Sequence, residues 1–442
     1  MRPERTHMSA RTTALTALIA TRRQGAWSDG ILKEYIRRDR LDRRDAALCA
    51  QLVYGVLQNR LLLDYYLKQV VTGGLSRLQP AMLDILRLGA YQILCLDRIP
   101  DSAAVNEAVE QTKRYVNKSA ASMTNGALRA LSRQKDTLQA PQELATKYSH
   151  PQALVSLLAQ NVPAGQLEAL LKADNEPAPT SLQVNPLLAA PEEVEAALAA
   201  QEISFAPHPW LSGCYLVRGT GDVGSLDLFA SGRVYVQDAS ARLAAMASGV
   251  MPGMEVLDVC AAPGGKSFAA AIAMENRGHI VSCDIHAHKI TLIEKGAQRL
   301  GISILEARQA DASKPYAELE GGFDVVIADV PCSGLGVIRK KPDIRYKDLA
   351  PLEKLPAVQR AILENVSRYV RPGGVLLYST CTILRRENEA VAQDFLARHP
   401  EFSAEAFALP FAPGRAEGGM VTILPTANDA DGFFICKLRK HL

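Results

Sequence analysis

Two cysteines sit on short polar stretches that each follow an apolar run. Cys332 lies in ADVPCSGLG, residues 328–336, directly after Pro331 and just before two glycines; Cys381 lies in YSTCT, residues 378–382. The runs before them, Val325-Val326-Ile327 and GVLLYST, predict buried strands, so each thiol is expected just past a strand end. Neighbouring strands lie about 4.8 Å apart, and strands adjacent in one sheet would put both thiols on one edge. A cysteine there is either a small filler or a nucleophile. The chemistry that uses a pair is methylation of a pyrimidine at carbon five. That carbon is a poor nucleophile; a thiolate adding at carbon six turns the ring into an enamine, and carbon five then attacks a methyl donor. The carbon-five proton must afterwards leave and the thiol be expelled, which a second group assists. Asp329, on the same edge, could bind the donor or the base. Cys49, Cys95, Cys214, Cys283 and Cys436 have no such setting and are read as packing.

A methyl donor needs a site, and DVCAAPGGKS, residues 258–267, is the candidate. It joins an apolar strand to a helix, where an open α/β sheet takes nucleotide-like ligands, and its small residues let backbone approach a ligand at a helix N-terminus. A phosphate loop would need glycine at position 260, where Cys260 stands, and the dinucleotide pattern G-x-G-x-x-G is absent. The turn Cys260, Ala261, Ala262, Pro263, Gly264, Gly265 and Lys266 therefore suits a nucleoside other than ATP or NAD. Asp284, at the end of the next strand, is placed to accept ribose hydroxyls. Asp311, after the third strand, is placed to meet an adenine amino group. Each acid alone reads as a cap or a turn; together they favour an adenosine site, and S-adenosyl-L-methionine is the adenosine ligand that needs no phosphate loop.

The elements that must hold these residues follow from periodicity. From about residue 236, strands EVLDVC, HIVSCD, SILEARQAD, FDVVIADV, GVLLYST and GFFICKL alternate with helical stretches, and Arg371-Pro372-Gly373-Gly374 reads as a turn. Alternation of this kind predicts a doubly wound parallel sheet. A helix is expected to end at Gly278. Residues 141–235 mix two short helical stretches, a helix in PEEVEAALAAQ and short strands in TSLQVN, ISFAP, CYLVRG and RVYVQ, a small α+β module. Residues 10–140 carry only helical spacing, for an all-α domain of six or seven helices, one of them capped by Ser102. Arg37, Arg40 and Arg44 share one face if a helix runs through them. The expected domains are 1–140, 141–235 and 236–442.

Composition narrows the class. The 442 residues are 48% hydrophobic and 22% charged, as in soluble globular proteins, and no apolar run approaches the ~20 residues of a membrane span. The N-terminal MRPERTHMSARTT lacks the apolar core of a signal peptide, so a cytoplasmic protein with free thiols is expected. None of the eight cysteines forms a C-x-x-C pair, and no metal is expected. The net charge of +3 is uneven: residues 1–140 hold 22 Lys and Arg against 13 Asp and Glu, the remainder 28 against 34. A basic helical part predicts a polyanionic partner.

LDVCAAPGGKS, DVPCSGLGVIRKKPDIR, YSTCTILRRENE and DGFFICKLRK, in this order, resemble the RNA 5-methylcytosine methyltransferase family, and the all-α N-terminal part resembles the antitermination factor NusB. The combination is similar to bacterial enzymes that methylate one cytosine of small-subunit ribosomal RNA. The resemblance implies an all-α NusB-like RNA-binding domain, a small α+β module and a Rossmann-like methyltransferase domain, acting as a monomer on 16S ribosomal RNA. It implies that Cys260 to Lys266, Asp284, Asp311 and Asp329 hold S-adenosyl-L-methionine. It also implies that Cys381 is the nucleophile and that Cys332 helps release the product. In DNA cytosine methyltransferases the thiol of the Pro-Cys motif attacks instead, so the residues alone leave the choice open and the family resemblance selects Cys381.

Ser267 and Leu335 stand where the family often has threonine, and Arg385 and Arg386 where proline and an acid are frequent. The two arginines either contact phosphate or start a helix. Two rival readings remain: methylation of another RNA such as transfer RNA, and an RNA-binding protein whose methyltransferase domain is only a scaffold.

Overall fold

The computed structural model describes residues 8–24, 28–426 and 430–442. The chain folds as two compact units. The first comprises Met1–Gln160, Ala164–Asn175 and Lys340–Lys347, and the second Asn161–Pro163, Glu176–Arg339 and Asp348–Leu442.

The first unit is helical: α1 (Ala10–Gln24), α2 (Ser28–Asp39), α3 (Arg43–Val70), α4 (Pro80–Cys95), α5 (Asp101–Tyr115) and α6 (Ala121–Gln134), followed by the short α7 (Leu144–Lys147), α8 (Gln152–Ala159) and α9 (Leu167–Ala173). Leu15, Leu52, Leu63, Leu67, Ile85, Leu86, Leu88 and Leu128 are almost wholly buried in its centre, the product of apolar positions recurring at helical spacing. Among the described residues α3 is the one helix long and apolar enough to cross a membrane by length and composition, but its apolar residues Leu52, Val53, Val56, Leu63 and Leu67 form core.

Two local expectations are corrected here. No helix runs through Arg37, Arg40 and Arg44: α2 stops at Asp39, Arg40 takes a left-handed φ of 53°, and Asp42 starts α3 by accepting the Asp45 N–H at 2.8 Å. The three arginines therefore share no helix face. Nor does Ser102 cap α5, which begins one residue earlier at Asp101 behind Pro100.

The division into units runs otherwise than the three spans expected. Helices α7 to α9, expected with the small module, lie in the first unit, and so do Lys340–Lys347 from within the expected 236–442 domain. Arg345 explains the second difference. It is 1% exposed and donates to the Gln58 carbonyl at 3.0 Å, to Asn175 Oδ1 at 2.9 Å and to the Asp174 carbonyl at 3.2 Å. A buried guanidinium requires such acceptors, and this set fixes its segment within the helical unit.

The second unit opens with a four-stranded antiparallel sheet. Its elements are β1 (Thr180–Val184), α10 (Pro191–Ala200), β2 (Ser204–Pro207), β3 (Cys214–Arg218), α11 (Asp227–Ala230) and β4 (Val234–Val236). The strand order is β2-β3-β1-β4. After α12 (Ala239–Ala247) come β5 (Glu255–Asp258), α13 (Gly265–Ala273), β6 (His279–Asp284), α14 (Ala287–Arg299), β7 (Leu305–Gln309), β8 (Phe323–Asp329), α15 (Leu355–Val366), β9 (Val370–Thr380) and α16 (Glu389–Arg398). The chain ends in β10 (Phe402–Ala404), β11 (Phe407–Ala408), β12 (Arg415–Ala416), β13 (Met420–Ile423) and β14 (Phe433–Lys440).

The large sheet has the order β10-β14-β9-β8-β5-β6-β7, with β13 beside β14. Strands β5 to β9 are parallel, but β14 runs antiparallel to β9. The sheet is mixed, a correction to the all-parallel expectation. Its strands bury both faces: Val256, Val325, Ile327, Val375 and Leu377 enter one core, and Leu257, Val326, Ala328, Leu376 and Tyr378 the other. Arg371–Gly374 is a bulge rather than a turn between elements, since pairing steps from Phe323↔Val370 to Val325↔Val375. Helix α13 ends at Ala273, before Gly278, where Glu275 and Asn276 take left-handed φ.

Candidate active site

The candidate residues come from the carboxyl ends of β5, β6, β7, β8 and β9, all in the second unit. The turn after β5 is held from two sides. The Val259 N–H donates to the Ile327 carbonyl at 3.0 Å and the Ala261 N–H to the Cys283 carbonyl at 2.8 Å, which places the turn beside the residue preceding Asp284. Gly264 adopts φ +110°, and a Cβ there would lie 2.3 Å from the Phe268 ring, so only glycine fits.

Beneath the turn sits a buried charge cluster. Lys266 Nζ is 2.7 Å from Asp329 Oδ2 and 5.0 Å from the centre of the Phe433 ring. Ser379 Oγ donates to the other Asp329 oxygen at 2.8 Å. Asp258, wholly buried, accepts from Ser267 Oγ at 2.7 Å, and Ser267 in turn accepts from Ser282 Oγ at 2.8 Å. Ser267, at a position where the resemblance led one to expect threonine, thus supplies the hydroxyl that holds Asp258. Burial, reinforced by the charge of Asp329, raises the Asp258 carboxyl to about 7, against the opposing pull of Ser267 and Lys266. Burial works against the Lys266 charge, but Asp329 and then Asp258 outweigh it, and the ammonium is held more firmly than usual.

Asp284 is buried at the end of β6; its Oδ1 accepts from the His286 N–H at 3.0 Å and its Oδ2 is 3.5 Å from Lys289 Nζ. Asp311 is more committed locally: its Oδ1 takes both the N–H and the hydroxyl of Ser313, at 3.0 and 2.6 Å. These bonds lower its carboxyl below the usual range.

Strands β8 and β9 pair with Asp329 opposite Ser379, so the loops that follow them are neighbours. Cys332 Sγ and Cys381 Sγ are 3.3 Å apart, and neither is in a disulfide. The hydrogen bond with Cys381, burial, and the charges of Cys381, Glu387 and Asp329 push the Cys332 thiol well above its ordinary value. Cys260 is raised too, by burial and then by Asp258 and Asp329.

Four polar residues to which the sequence reading gave no role complete the site. Glu387 and Asn388 are fully buried. Glu387 Oε2 accepts from the Ser333 N–H and from Gln359 Nε2, both at 2.9 Å, and Gln359 Nε2 also reaches the Pro331 carbonyl at 3.0 Å. Asn388 accepts from Thr380 Oγ1 at 2.6 Å and donates to the Thr382 carbonyl at 2.9 Å. Gln237 lies against Gly265, buried, with neither end of its amide bonded among the described residues. Glu387 and Asn388 stand in the quoted stretch RRENE, where polar residues just before a helix read as caps. Arg386 pairs with Glu353, and the Arg385 N–H donates to Asn161 Oδ1 at 2.9 Å.

This arrangement suits a nucleoside with a cationic sulfur. A buried amide whose donor and acceptor are unbonded among the described residues lies at the turn, and carboxylates stand at three successive strand ends. Among the described residues no group of three or more His, Cys, Asp or Glu side chains is arranged to hold a metal ion.

Comparison with known proteins decides the family. Residues 248–439 match the family model "16S rRNA methyltransferase RsmB/F", residues 8–133 the NusB family and residues 150–224 the RsmF/B-like ferredoxin-like domain. The chain is 37% identical over 444 residues to the probable ribosomal RNA small subunit methyltransferase B of Bacillus subtilis, covering 98% of this chain and 99% of that one. The chain belongs to this family. The small subunit methyltransferase B of Klebsiella pneumoniae is 32% identical, over 90% of this chain and 91% of its own. Among solved structures, one described as PH0851 superposes with a TM-score of 0.81 at 25% identity, covering 97% of this chain and 98% of its own. A methyltransferase homolog from Pyrococcus horikoshii gives 0.58 at 25% identity over 67% of this chain and 97% of its own. As a member of the RsmB/F family the chain is a ribosomal RNA methyltransferase. It has a NusB domain, then a ferredoxin-like domain, then a methyltransferase domain.

Proposed function

We propose that the chain transfers a methyl group from S-adenosyl-L-methionine to carbon 5 of a cytosine in 16S ribosomal RNA, through a covalent adduct between Cys381 and carbon 6. It works as a cytoplasmic monomer. The observation that carries this reading is the thiol pair itself: Cys381 and Cys332 stand 3.3 Å apart just past neighbouring strand ends, and the hydrogen bond with Cys381, then burial, holds the Cys332 thiol well above its ordinary value. The family resemblance supports Cys381 as nucleophile, the choice the residues alone left open.

S-adenosyl-L-methionine would be held by the turn Cys260–Lys266 and by Asp284, Asp311 and Asp329, with Asp284 placed for the ribose and Asp311 for the base, and it would supply an electrophilic methyl group. Cys381 loses its proton to solvent and its sulfur forms a bond to carbon 6, the ring electron pair moving to carbon 5. After methyl transfer the carbon-5 proton leaves to solvent. The 5,6 double bond re-forms as the sulfur–carbon bond breaks, and the electron pair returns to Cys381. The Cys332 S–H is the donor placed to stabilise that departing thiolate.

The test is mass spectrometry of nucleosides from 16S RNA incubated with the protein and methyl-labelled S-adenosyl-L-methionine. Label in 5-methylcytidine is the expected result, and label confined to any other nucleoside would sink the reading.

A further inference from the structure

The two thiol loops are gripped by one dipeptide. Each cysteine is held through the residues on either side of it. For Cys332 these are Pro331, whose carbonyl accepts from Gln359, and Ser333, whose N–H donates to Glu387. Gln359 and Glu387 are themselves bonded at 2.9 Å. For Cys381 they are Thr380 and Thr382, the former donating to Asn388 and the latter accepting from it. A last bond, Ser333 Oγ to Thr382 Oγ1 at 2.7 Å, ties the two loops together. Tyr378 OH fixes the dipeptide by donating to the Glu387 carbonyl. Glu387, Asn388 and Gln359 are fully buried, and a buried, partly bonded carboxylate is costly to keep unless its charge is used. Glu387 Oε1 has no partner among the described residues.

We propose that Glu387 and Asn388 are the positioning residues of the thiol pair. Asn388 sets the loop of Cys381, and Glu387 sets the loop of Cys332. The inference rests on the reading of the site as a two-thiol methyltransferase. The groups facing Cys332 are Cys381, Glu387 and Asp329, with Tyr378 packed close by. Glu387 is the carboxylate among them that also bonds to the Cys332 loop.

The experiment separates this proposal from the functional reading, because its first readout needs neither RNA nor cofactor. Alkylation of each cysteine by iodoacetamide is followed at pH 8 by mass spectrometry in the full chain, for wild type, Glu387→Gln, Glu387→Asp and Asn388→Ala, with thermal melts to establish folding. Loss of a nearby negative charge raises the thiolate fraction, so Cys332 in Glu387→Gln is expected to react about threefold faster or more, while Glu387→Asp, which keeps the charge, stays within about twofold of wild type. The second readout is turnover. Both Glu387→Gln and Asn388→Ala are expected to lose about tenfold or more in kcat, with KM for RNA and cofactor within about twofold, the signature of misplaced reacting groups rather than lost binding. A folded Glu387→Gln protein with wild-type Cys332 alkylation and wild-type kcat overturns the proposal. Should that variant not fold, Gln359→Met loosens the same loop from its other side: faster Cys332 alkylation with lower kcat supports the proposal, and wild-type values for both overturn it. A wild-type protein that makes no 5-methylcytidine instead overturns the functional reading and leaves the alkylation result to stand by itself.

Discussion

The Gly432 N–H donates to the Gly336 carbonyl at 2.8 Å, and a Cβ built on Gly336 would lie 2.0 Å from the Gly432 oxygen. This crossing of two backbones pins the end of the Cys332 loop, because the Gly336 N–H also donates to the Cys381 carbonyl at 3.0 Å. Only a residue without a side chain allows it. Gly336→Ala is therefore expected to cost about 1–3 kcal/mol of stability, as overpacking does. It should also lower kcat by about tenfold or more by moving the loop. Chemical denaturation and single-turnover rates on the same preparation check both, and unchanged rates would mean that the crossing does not set the thiol geometry.

The two thiols are expected to fail differently. Cys381→Ala removes the nucleophile and should abolish methyl transfer. Cys332→Ala leaves attack intact but takes away the donor beside the departing sulfur, so protein is expected to accumulate as a covalent complex with RNA. Denaturing gels with labelled RNA show the adduct, and a Cys381→Ala protein with near-normal turnover would contradict the assigned roles.

Asp258 carries a pH dependence whose sign follows from its burial. Its carboxyl titrates near 7 in the fold, against about 3.9 in an unfolded chain. Between those values the folded state holds the extra proton, so this group's contribution falls as pH rises through that window and is fully present only below it. Melting temperatures of wild type and Asp258→Asn from pH 4.5 to 7.5 test this. Wild type should lose ground to the variant as pH rises, and parallel curves would refute the assignment.

Asp284 is the residue assigned to the ribose. Its carboxylate accepts from the His286 N–H at 3.0 Å and lies 3.5 Å from Lys289 Nζ, both contacts local to the turn. Asp284→Ala should therefore leave the fold intact and weaken S-adenosylhomocysteine binding by about tenfold or more, the loss of a charged hydrogen bond. Calorimetry measures it, and affinity unchanged from wild type would remove Asp284 from the site.

RNA affinity should fall steeply with salt, since the first 140 residues carry the basic excess. Binding to a 16S RNA fragment at several salt concentrations gives the slope. A slope that persists unchanged after charge reversal of Arg37 and Arg44 would place the phosphate contacts elsewhere.

Strand His279–Asp284 could be read off HIVSCD without loss, because four apolar or small residues in a row between a glycine turn and an acid leave little alternative. The contact of the two sulfurs was readable for a related reason. In a parallel sheet a loop's position follows from its strand's place, and β8 and β9 are neighbours. In two places distant packing outvotes the local pattern. The apolar run of β14 looks the same in either direction, and only its pairing with β9 makes it antiparallel. The basic stretch after Arg37 has helical composition, yet Arg40 breaks it.

By itself the sequence determined the class of fold, the sheet edge at which the candidate groups meet and the types of those groups, since each follows from a strand's end and the residues just past it. Only the tertiary structure decided how the two thiol loops are held. Those answers rest on Glu387, Asn388, Gln359 and Lys266, buried polar side chains whose partners lie between 6 and 63 residues away. Contacts of that kind have no period along the chain, and their energy exists only once burial has removed water from both partners.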